Sequence, residues 1–449
     1  MRDIGRKRKK KSGSKGTEGG SVSGRGQPRA AALESEEDLR EHVSAPAQKV
    51  LPDGQGTAPA AGRAGRGRGR KKPRLKRWVR MTLRLCIVLL VLAVVVTLWA
   101  NWQSLAPSGL ADWLTLTLNG GDAGDGYPVS GIAGGDYLAA AAEGGDLVLV
   151  SDTMVTVYNA KGGQVYSHSH GFSSPLLRTA GNYILTLDSG GKAWTLQTRV
   201  RVLLANTDAP APLQNGHVDA AGRVTLVMGA AGGYMSQVTV YDVKGQSLYT
   251  RQSAELCAVD AALSPDGKRL AVAYATADSG ALTATVQVFD TKSAAVTPLY
   301  EVPLGGQLPL SMSYDASGEL LIVTGTYAAA VRPDTGAATT QPFNGGVLLG
   351  YTLEGGTLTA AVRDATALSG GTLYTLTMAG IKALPFDGTY RGLAADTGGV
   401  WLLTDARLSR VVNSAVAAQY PTPRDSRLVA AFGNRARVVG FQDITEYGK

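Results

Sequence analysis

Residues 220–249 read AAGRVTLVMGAAGGYMSQVTVYDVKGQSLY, a unit built from a glycine turn, an apolar strand and a strand–turn–strand motif. Gly222 stands in a polar turn before the apolar run VTLV. Glycine supplies the positive φ that such tight turns require. Asp242 opens a second turn, where an aspartate side chain can accept hydrogen bonds from its own backbone. The unit therefore predicts antiparallel strands joined by short turns.

The glycine turn followed by an apolar strand recurs along the chain at a mean interval of about 41 residues. The eight copies are centred on Gly145, Gly181, Gly222, Gly267, Gly318, Gly356, Gly399 and Gly433. The strand–turn–strand motif recurs in VTVYNAKGGQVY at 155–166, in VQVFDTKSAAVTPLY at 286–300 and, more weakly, in AAVRPDTGAATTQ at 329–341. Two hairpins per repeat make four strands, which is one blade of a β-propeller. The sequence predicts an all-β fold with eight blades, or alternatively seven.

The last repeat ends after only three predicted strands, at 426–431, 435–440 and 442–447. A propeller has to close its ring, because closure leaves only short, protected strand edges. We therefore predict that a strand within 110–133 supplies the fourth strand of the last blade.

A transmembrane signal-anchor helix is predicted at 78–102, because residues 85–100 form a run of sixteen residues without a charge. Basic and aromatic residues flank this run in the manner of membrane interfaces. These interface residues are Arg77, Trp78, Arg80, Arg84, Trp99 and Trp102. The net charge is +15 over residues 1–102 and −6 over 103–449. The positive-inside rule then places the N-terminus in the cytoplasm and the propeller outside the cell membrane; a cleaved signal peptide is the alternative.

Residues 1–77 are predicted to be a disordered basic tail, since they hold too few apolar residues to offset the entropy of ordering. Its basic clusters at 6–11 and 62–77 favour anionic membrane lipid over nucleic acid, because the second cluster adjoins the apolar run. A short acidic segment at 32–43 is either a docking helix for a cytoplasmic partner or a transient helix. Residues 103–126 are predicted to be a linker and 127–449 the extracytoplasmic propeller.

Motifs for common enzyme chemistry are missing from the sequence: it has no P-loop, no dinucleotide-binding glycine pattern, no CxxC and no GxSxG. We therefore assign no catalytic or cofactor-binding residue and expect no cofactor. His168 and His170 alternate on one strand and are weak metal-binding candidates, because a third ligand is not visible; a solvated strand end is the alternative. Cys257 is expected to be buried as a small apolar residue.

The repeats resemble those of quinoprotein-like β-propellers. YDVKGQSLY at 241–249 and LDSGGKAW at 187–194 follow that outline, and SPDGKRLAV at 264–272 is similar to the turns of WD40- and TolB-type blades. The resemblance covers residues 127–447, and the whole layout resembles an uncharacterised group of bacterial single-pass membrane-anchored propeller proteins. The resemblance implies that an enzyme of this type would hold calcium through a carboxylate in an axial funnel, and no such residue is identified here.

These observations favour a membrane-anchored binding or scaffold module with a protein or envelope ligand outside the cell, without catalysis. The alternatives are a quinone- or metal-dependent oxidoreductase on the same fold and a single-pass signalling protein. The axis of the ring distinguishes the first two functions. Convergent carboxylates beside an arginine, with an aromatic floor, would favour an enzyme, whereas an apolar or plugged axis would favour binding.

Overall fold

The computed structural model describes residues 77–100, 112, 123–132, 136–278, 280–293, 297–354 and 356–448. The chain divides into two units, and all described residues belong to the second, Leu75–Lys449. Residues 1–76 of the predicted tail (1–77), most of the predicted linker at 103–126, and Trp102 lie outside the described residues. These parts of the sequence analysis stay predictions.

Helix α1 spans Arg77–Ala100 and coincides with most of the predicted apolar helix. Its described apolar side chains are exposed, among them Leu85, Leu90 and Val91. Arg77, Trp78, Arg80, Arg84 and Trp99 lie within the helix. Among the helices of the described residues, none combines the length and the hydropathy needed to cross a membrane.

The rest of the described chain forms β-strands, which begin with the two-residue strand β1 (Val129–Ser130). Blades 1 to 4 consist of β2–β5 (Tyr137–Glu143, Asp146–Ser151, Met154–Tyr158, Gln164–Ser169), β6–β9 (Pro175–Ala180, Tyr183–Asp188, Trp194–Gln197, Val202–Asn206), β10–β13 (Leu213–Val218, Val224–Met228, Ser236–Tyr241, Ser247–Ser253) and β14–β17 (Cys257–Leu263, Arg269–Asp278, Ala281–Asp290, Tyr300–Gly305).

Blades 5 to 7 consist of β18–β21 (Pro309–Tyr314, Leu320–Thr324, Tyr327–Val331, Ala338–Pro342), β22–β25 (Val347–Thr352, Leu358–Arg363, Gly371–Thr377, Gly380–Phe386) and β26–β29 (Tyr390–Asp396, Gly399–Thr404, Arg407–Val412, Ala415–Pro421). Blade 8 consists of β30 (Leu428–Phe432), β31 (Arg435–Val439), β32 (Asp443–Gly448) and β1. Every blade is an antiparallel four-stranded sheet, so the prediction of an eight-bladed propeller is confirmed.

The ring closes as the sequence predicts, because β1 supplies the fourth strand of blade 8. It pairs antiparallel with β32, and Val129 lies opposite Ile444. The first strand of each blade is innermost, and β2 of blade 1 packs beside β30 of blade 8. One blade thus combines strands from the two ends of the propeller sequence.

Seven of the eight repeat glycines occupy the turn between the first and second strands of a blade, and Gly399 directly follows that turn as the first residue of β27. Each has a positive φ, from 65° at Gly181 and Gly433 to 128° at Gly399. The aspartate and asparagine turns also form as predicted. Asp242 Oδ1 accepts hydrogen bonds from the backbone amides of Lys244 at 2.9 Å and Gln246 at 2.8 Å.

The core consists of apolar clusters between neighbouring blades. Leu147 and Leu149 of β3 face blade 8, while Val148 and Val150 on the same strand face blade 2. Successive side chains of a strand point to opposite faces of a sheet, so each blade buries both faces. This explains why the second strands read as continuous apolar runs rather than alternating ones.

A buried arginine joins blade 8 to the start of the propeller. Arg437 of β31 is fully buried, and its guanidinium stacks 4.5 Å from the ring centroid of Tyr127 and 4.0 Å from that of Phe432. Its Nε donates to the carboxylate of Glu446 at 3.0 Å, and its Nη1 donates to the carbonyl of Gly145 in blade 1 at 3.0 Å. This group, which we term the Arg437 clasp, connects the segment before β1 to both blades that meet there.

Candidate functional site

A cavity of about 350 Å³ lies on the axis of the ring and is the candidate site. Its walls are formed by residues at or beside the first strands of seven blades, every blade except blade 4. Alanines contribute much of this wall, including Ala140, Ala394 and Ala430. Because these side chains are small, the innermost strands leave open space between them. The charged and aromatic side chains that enter this space come from blades 2, 3 and 6.

Arg178 of β6 brings a positive charge into the cavity. Its Nη1 donates to the carbonyl of Leu177 at 3.1 Å, and its Nη2 donates to Oδ1 of Asn215 in blade 3 at 3.4 Å. Neither acceptor is a carboxylate. The guanidinium therefore keeps charge and hydrogen-bonding capacity that a ligand could use.

His217 of β10 lines the same cavity and is held by a buried carboxylate. Its Nε2 lies 2.7 Å from Oδ1 of Asp260 in blade 4, and Asp260 is only 1% exposed. Asp260 also accepts from Nδ2 of Asn215 at 2.8 Å and, through Oδ2, from the amide of Met312 in blade 5 at 2.8 Å. One carboxylate thus connects three blades and fixes the orientation of the imidazole that faces the cavity.

Tyr351 and Glu354 of blade 6 also line the cavity. The hydroxyl of Tyr351 donates to the carbonyl of Leu310 at 3.3 Å, and burial raises the pKa of this phenol. Desolvation by the cavity walls raises the pKa of the Glu354 carboxyl. The negative charge of Asp396 raises it further, and Arg178 lowers it. Glu354 is therefore more readily protonated than an ordinary glutamate.

The axis combines features that the sequence analysis assigned to different functions. An arginine, one lining carboxylate and one aromatic ring are present, as expected for an enzyme. The other walls consist largely of alanine, serine and aliphatic residues. A quinone held beside a divalent cation needs several carboxylate or carbonyl ligands and flat aromatic walls. The residues present do not fit that group.

The candidate metal residues His168 and His170 lie at the outer edge of blade 1. Both ring nitrogens of His170 contact the backbone: Nε2 lies 3.1 Å from the carbonyl oxygen of Ser151, and Nδ1 accepts from the amide of Phe172 at 3.3 Å. Burial lowers the pKa of the His168 imidazole, and the neighbouring His170 lowers it further. Within the part of the chain that the structure describes, no group of three or more His, Cys, Asp or Glu side chains could hold a metal ion.

Cys257 differs from the prediction. It is only partly buried, and its Sγ lies 4.0 Å from Nε2 of Gln214 in the neighbouring blade. The physical reason is its position as the first residue of β14, where the strand emerges from the blade. The expectation of full burial was wrong.

Sequence reasoning missed Arg178, His217, Tyr351 and Glu354. These residues come from blades 2, 3 and 6, and nothing in their spacing shows that they meet at the axis. One signal was available: Arg178 interrupts the apolar run PLLRTA of a first strand.

Comparisons with known proteins support the fold. A sequence model of a family of unknown function (DUF5711) matches residues 138–296, which span blades 1 to 3 and most of blade 4. No curated protein matches the chain. Among solved structures, the C-terminal WD40 domain of Sif2 is similar with a TM-score of 0.52 and 12% sequence identity, covering 72% of this chain and 99% of that one.

Two further solved structures are similar at lower TM-scores. BamB from Moraxella catarrhalis gives a TM-score of 0.47 and 11% identity over 72% of this chain and 98% of that one. The dihydro-heme d1 dehydrogenase NirN in complex with DHE gives 0.47 and 14% identity over 72% and 78%. The likeness to the Sif2 domain, at 12% identity, extends to the β-propeller fold and not to a function.

Proposed function

We propose that this chain is a membrane-anchored, extracytoplasmic β-propeller that acts as a binding or scaffold module for a protein or envelope ligand. The observation that carries the binding role is the exposure of large apolar side chains on the propeller. Leu368 is 93% exposed, and Leu138 and Leu310 are about half exposed. Clusters of exposed apolar side chains in a soluble domain usually mark sites of interaction.

The anchoring part of the proposal rests on the amino-acid sequence around α1. The sixteen uncharged residues at 85–100 follow a dense basic flank, and Trp99 and Trp102 lie at the other end of the run. The exposed apolar side chains of α1 support the proposal, because a helix that is apolar on all sides is stable only when something covers it. In this arrangement the basic tail contacts anionic lipid headgroups and is available to a cytoplasmic partner.

Protease accessibility tests the orientation. An epitope fused after Lys449 should be removed by protease added to intact spheroplasts, while an epitope fused before Met1 should survive until the cells are lysed. Protection of the C-terminal epitope in intact spheroplasts would overturn the extracytoplasmic placement. The N-terminal epitope serves as the matched control for membrane integrity.

A second candidate function is the binding of a small organic anion in the axial cavity. Arg178 favours this function, because its guanidinium lines the cavity and its hydrogen bonds go to a backbone carbonyl and a side-chain amide oxygen rather than to a carboxylate. Thermal unfolding of the full-length protein with and without 10 mM citrate tests it. A rise in Tm that is lost in Arg178→Met would support an anion site, and an equal response in both proteins would exclude one.

A further inference from the structure

The two faces of the propeller differ in charge. We define the inter-blade face as the loops that connect consecutive blades together with the turns between the second and third strands of each blade. These loops carry eight acidic and three basic residues. On the opposite face, the described turns between the first and second and between the third and fourth strands carry seven acidic and eight basic residues. The inter-blade face is therefore the acidic one.

Exposed apolar side chains concentrate on the same face. Of the fourteen large apolar residues exposed on the described propeller, ten lie in these loops or within two residues of them. The ten are Leu138, Met154, Tyr234, Met235, Leu282, Leu308, Leu310, Val347, Leu368 and Phe441. The other four, Leu248, Leu299, Ile381 and Val416, lie on or beside outer strands.

Backbone irregularities expose two of these leucines. A break in the register between the first and second strands lies between Tyr137 and Ala139, and another lies between Pro309 and Ser311. The residues between them, Leu138 and Leu310, have no paired partner on the second strand. A bulge of this kind redirects the side chain of the extra residue. Both leucines thus stand at the inner edge of the inter-blade face.

The segment before the propeller meets the opposite face. The amide of Gly126 donates to the carbonyl of Lys161 at 2.8 Å, and Nδ2 of Asn159 donates to the carbonyl of Ala123 at 2.9 Å. Asn159 and Lys161 belong to the turn between the third and fourth strands of blade 1. The described part of this N-terminal segment therefore leaves the inter-blade face uncovered.

We propose that the inter-blade face is a docking surface for a protein segment that carries apolar side chains flanked by lysine and arginine. This inference rests on the proposed binding function and names its surface and partner chemistry. Charge complementarity selects this occupant, because apolar side chains fill the space around Leu310 and Leu368 while basic groups meet the surrounding carboxylates. A second copy of the chain is disfavoured, since two acidic faces would repel each other.

Binding of a designed peptide to the full-length protein tests the proposal. The protein is placed in phosphatidylcholine nanodiscs, and the probe is a fluorescent 18-residue peptide of leucine and lysine, compared with a leucine–glutamate peptide and a serine–lysine peptide. The leucine–lysine peptide should bind at least tenfold more tightly than either control. Its affinity should fall between 50 and 500 mM NaCl, because salt screens exposed charges.

Variants locate the binding surface. Glu255→Lys with Asp387→Lys reverses two exposed carboxylates of the inter-blade face, and Leu310→Ser with Leu368→Ser removes two apolar contacts. Each pair should weaken binding of the leucine–lysine peptide at least tenfold. Asp334→Lys and Leu248→Ser are matched controls away from the inter-blade face. Each should change the affinity for the leucine–lysine peptide less than twofold. Equal effects from the two sets would overturn the proposal.

The same experiment also shows whether one of two other occupants covers the inter-blade face. If removal of residues 2–74 tightens peptide binding tenfold or more, the basic tail of the same chain occupies the face and the proposal falls. If the full-length protein is a dimer that Leu310→Ser dissociates, a second copy occupies it and the proposal falls. Because peptide binding is measured on purified protein, failure here leaves the protease test of membrane orientation unaffected, and failure there leaves the docking surface intact.

Discussion

Glu143, at the end of β2, makes the stability of the propeller depend on pH. Burial raises the pKa of this carboxyl to about 8, and the negative charges of Asp146 and Glu354 contribute. An ordinary glutamate in the unfolded chain titrates near 4.5. Between pH 4.5 and about pH 8, the Glu143 carboxyl is protonated in the folded state and ionised in the unfolded state. The contribution of Glu143 to stability is therefore complete below about pH 4.5 and is lost as the pH rises through 8.

Glu143→Gln should remove this dependence, because glutamine keeps the shape and cannot ionise. We expect the free energy of unfolding of the variant to exceed that of the wild type at pH 8.5, by on the order of 3 kcal/mol, and the difference to shrink at pH 5. Urea denaturation at the two pH values measures it. Glu255→Gln is the control, because Glu255 is exposed and should behave like the wild type. A constant difference between the two pH values would contradict the role of Glu143.

The Arg437 clasp supplies a second prediction. Arg437→Met should lower the free energy of unfolding by about 3–5 kcal/mol, because it removes the buried half of the ion pair with Glu446 and leaves the carbonyl of Gly145 without its hydrogen-bond donor. Arg435→Met is a matched control, since Arg435 also pairs with Glu446, at 3.1 Å, but its side chain is 44% exposed. An exposed pair contributes less than about 1 kcal/mol. Equal losses in the two variants, measured by urea denaturation, would show that burial of Arg437 is not the cause.

At the scale of strands and blades, sequence reasoning worked where each repeat carries its own signal. Gly222 and Asp242 specify local turns, and the structure places both in turns with the predicted conformation or hydrogen bonds. The axial cavity could not be predicted in this way. Arg178, His217 and Glu354 meet only because three blades are arranged around one axis, and their separation along the chain reflects blade length rather than chemistry.

The closing strand gives a prediction for an element. Deletion of residues 110–133 removes β1 and leaves β32 with an unpaired edge at the junction with blade 1. It also removes Tyr127 from the Arg437 clasp. We expect the single cooperative thermal transition to be replaced by a broad one at lower temperature. An unchanged calorimetric transition would show that the ring closes by other contacts.

At the scale of the whole molecule, the described propeller contains its own core. The apolar clusters between blades and the closing strand use only residues from 127 onward. A chain of residues 103–449 should therefore stay soluble without detergent and keep the Tm of the full-length protein to within a few degrees. Calorimetry of both proteins measures this. A truncated chain that aggregates or melts much earlier would show that the N-terminal region stabilises the ring.

The pairing of β1 with β32 also determines when the native state can form. Strand β1 is synthesised before any complete blade, while β32 follows it by more than 300 residues. At typical rates of translation, β1 waits roughly 15 to 60 s for its partner. During that interval β1 has no paired strand and the face of blade 1 that later packs against blade 8 is uncovered, so the nascent chain is vulnerable to proteases and to pairing with other chains. A chaperone that shields this strand and this face would act in that interval, and its help would become unnecessary once the circle is complete.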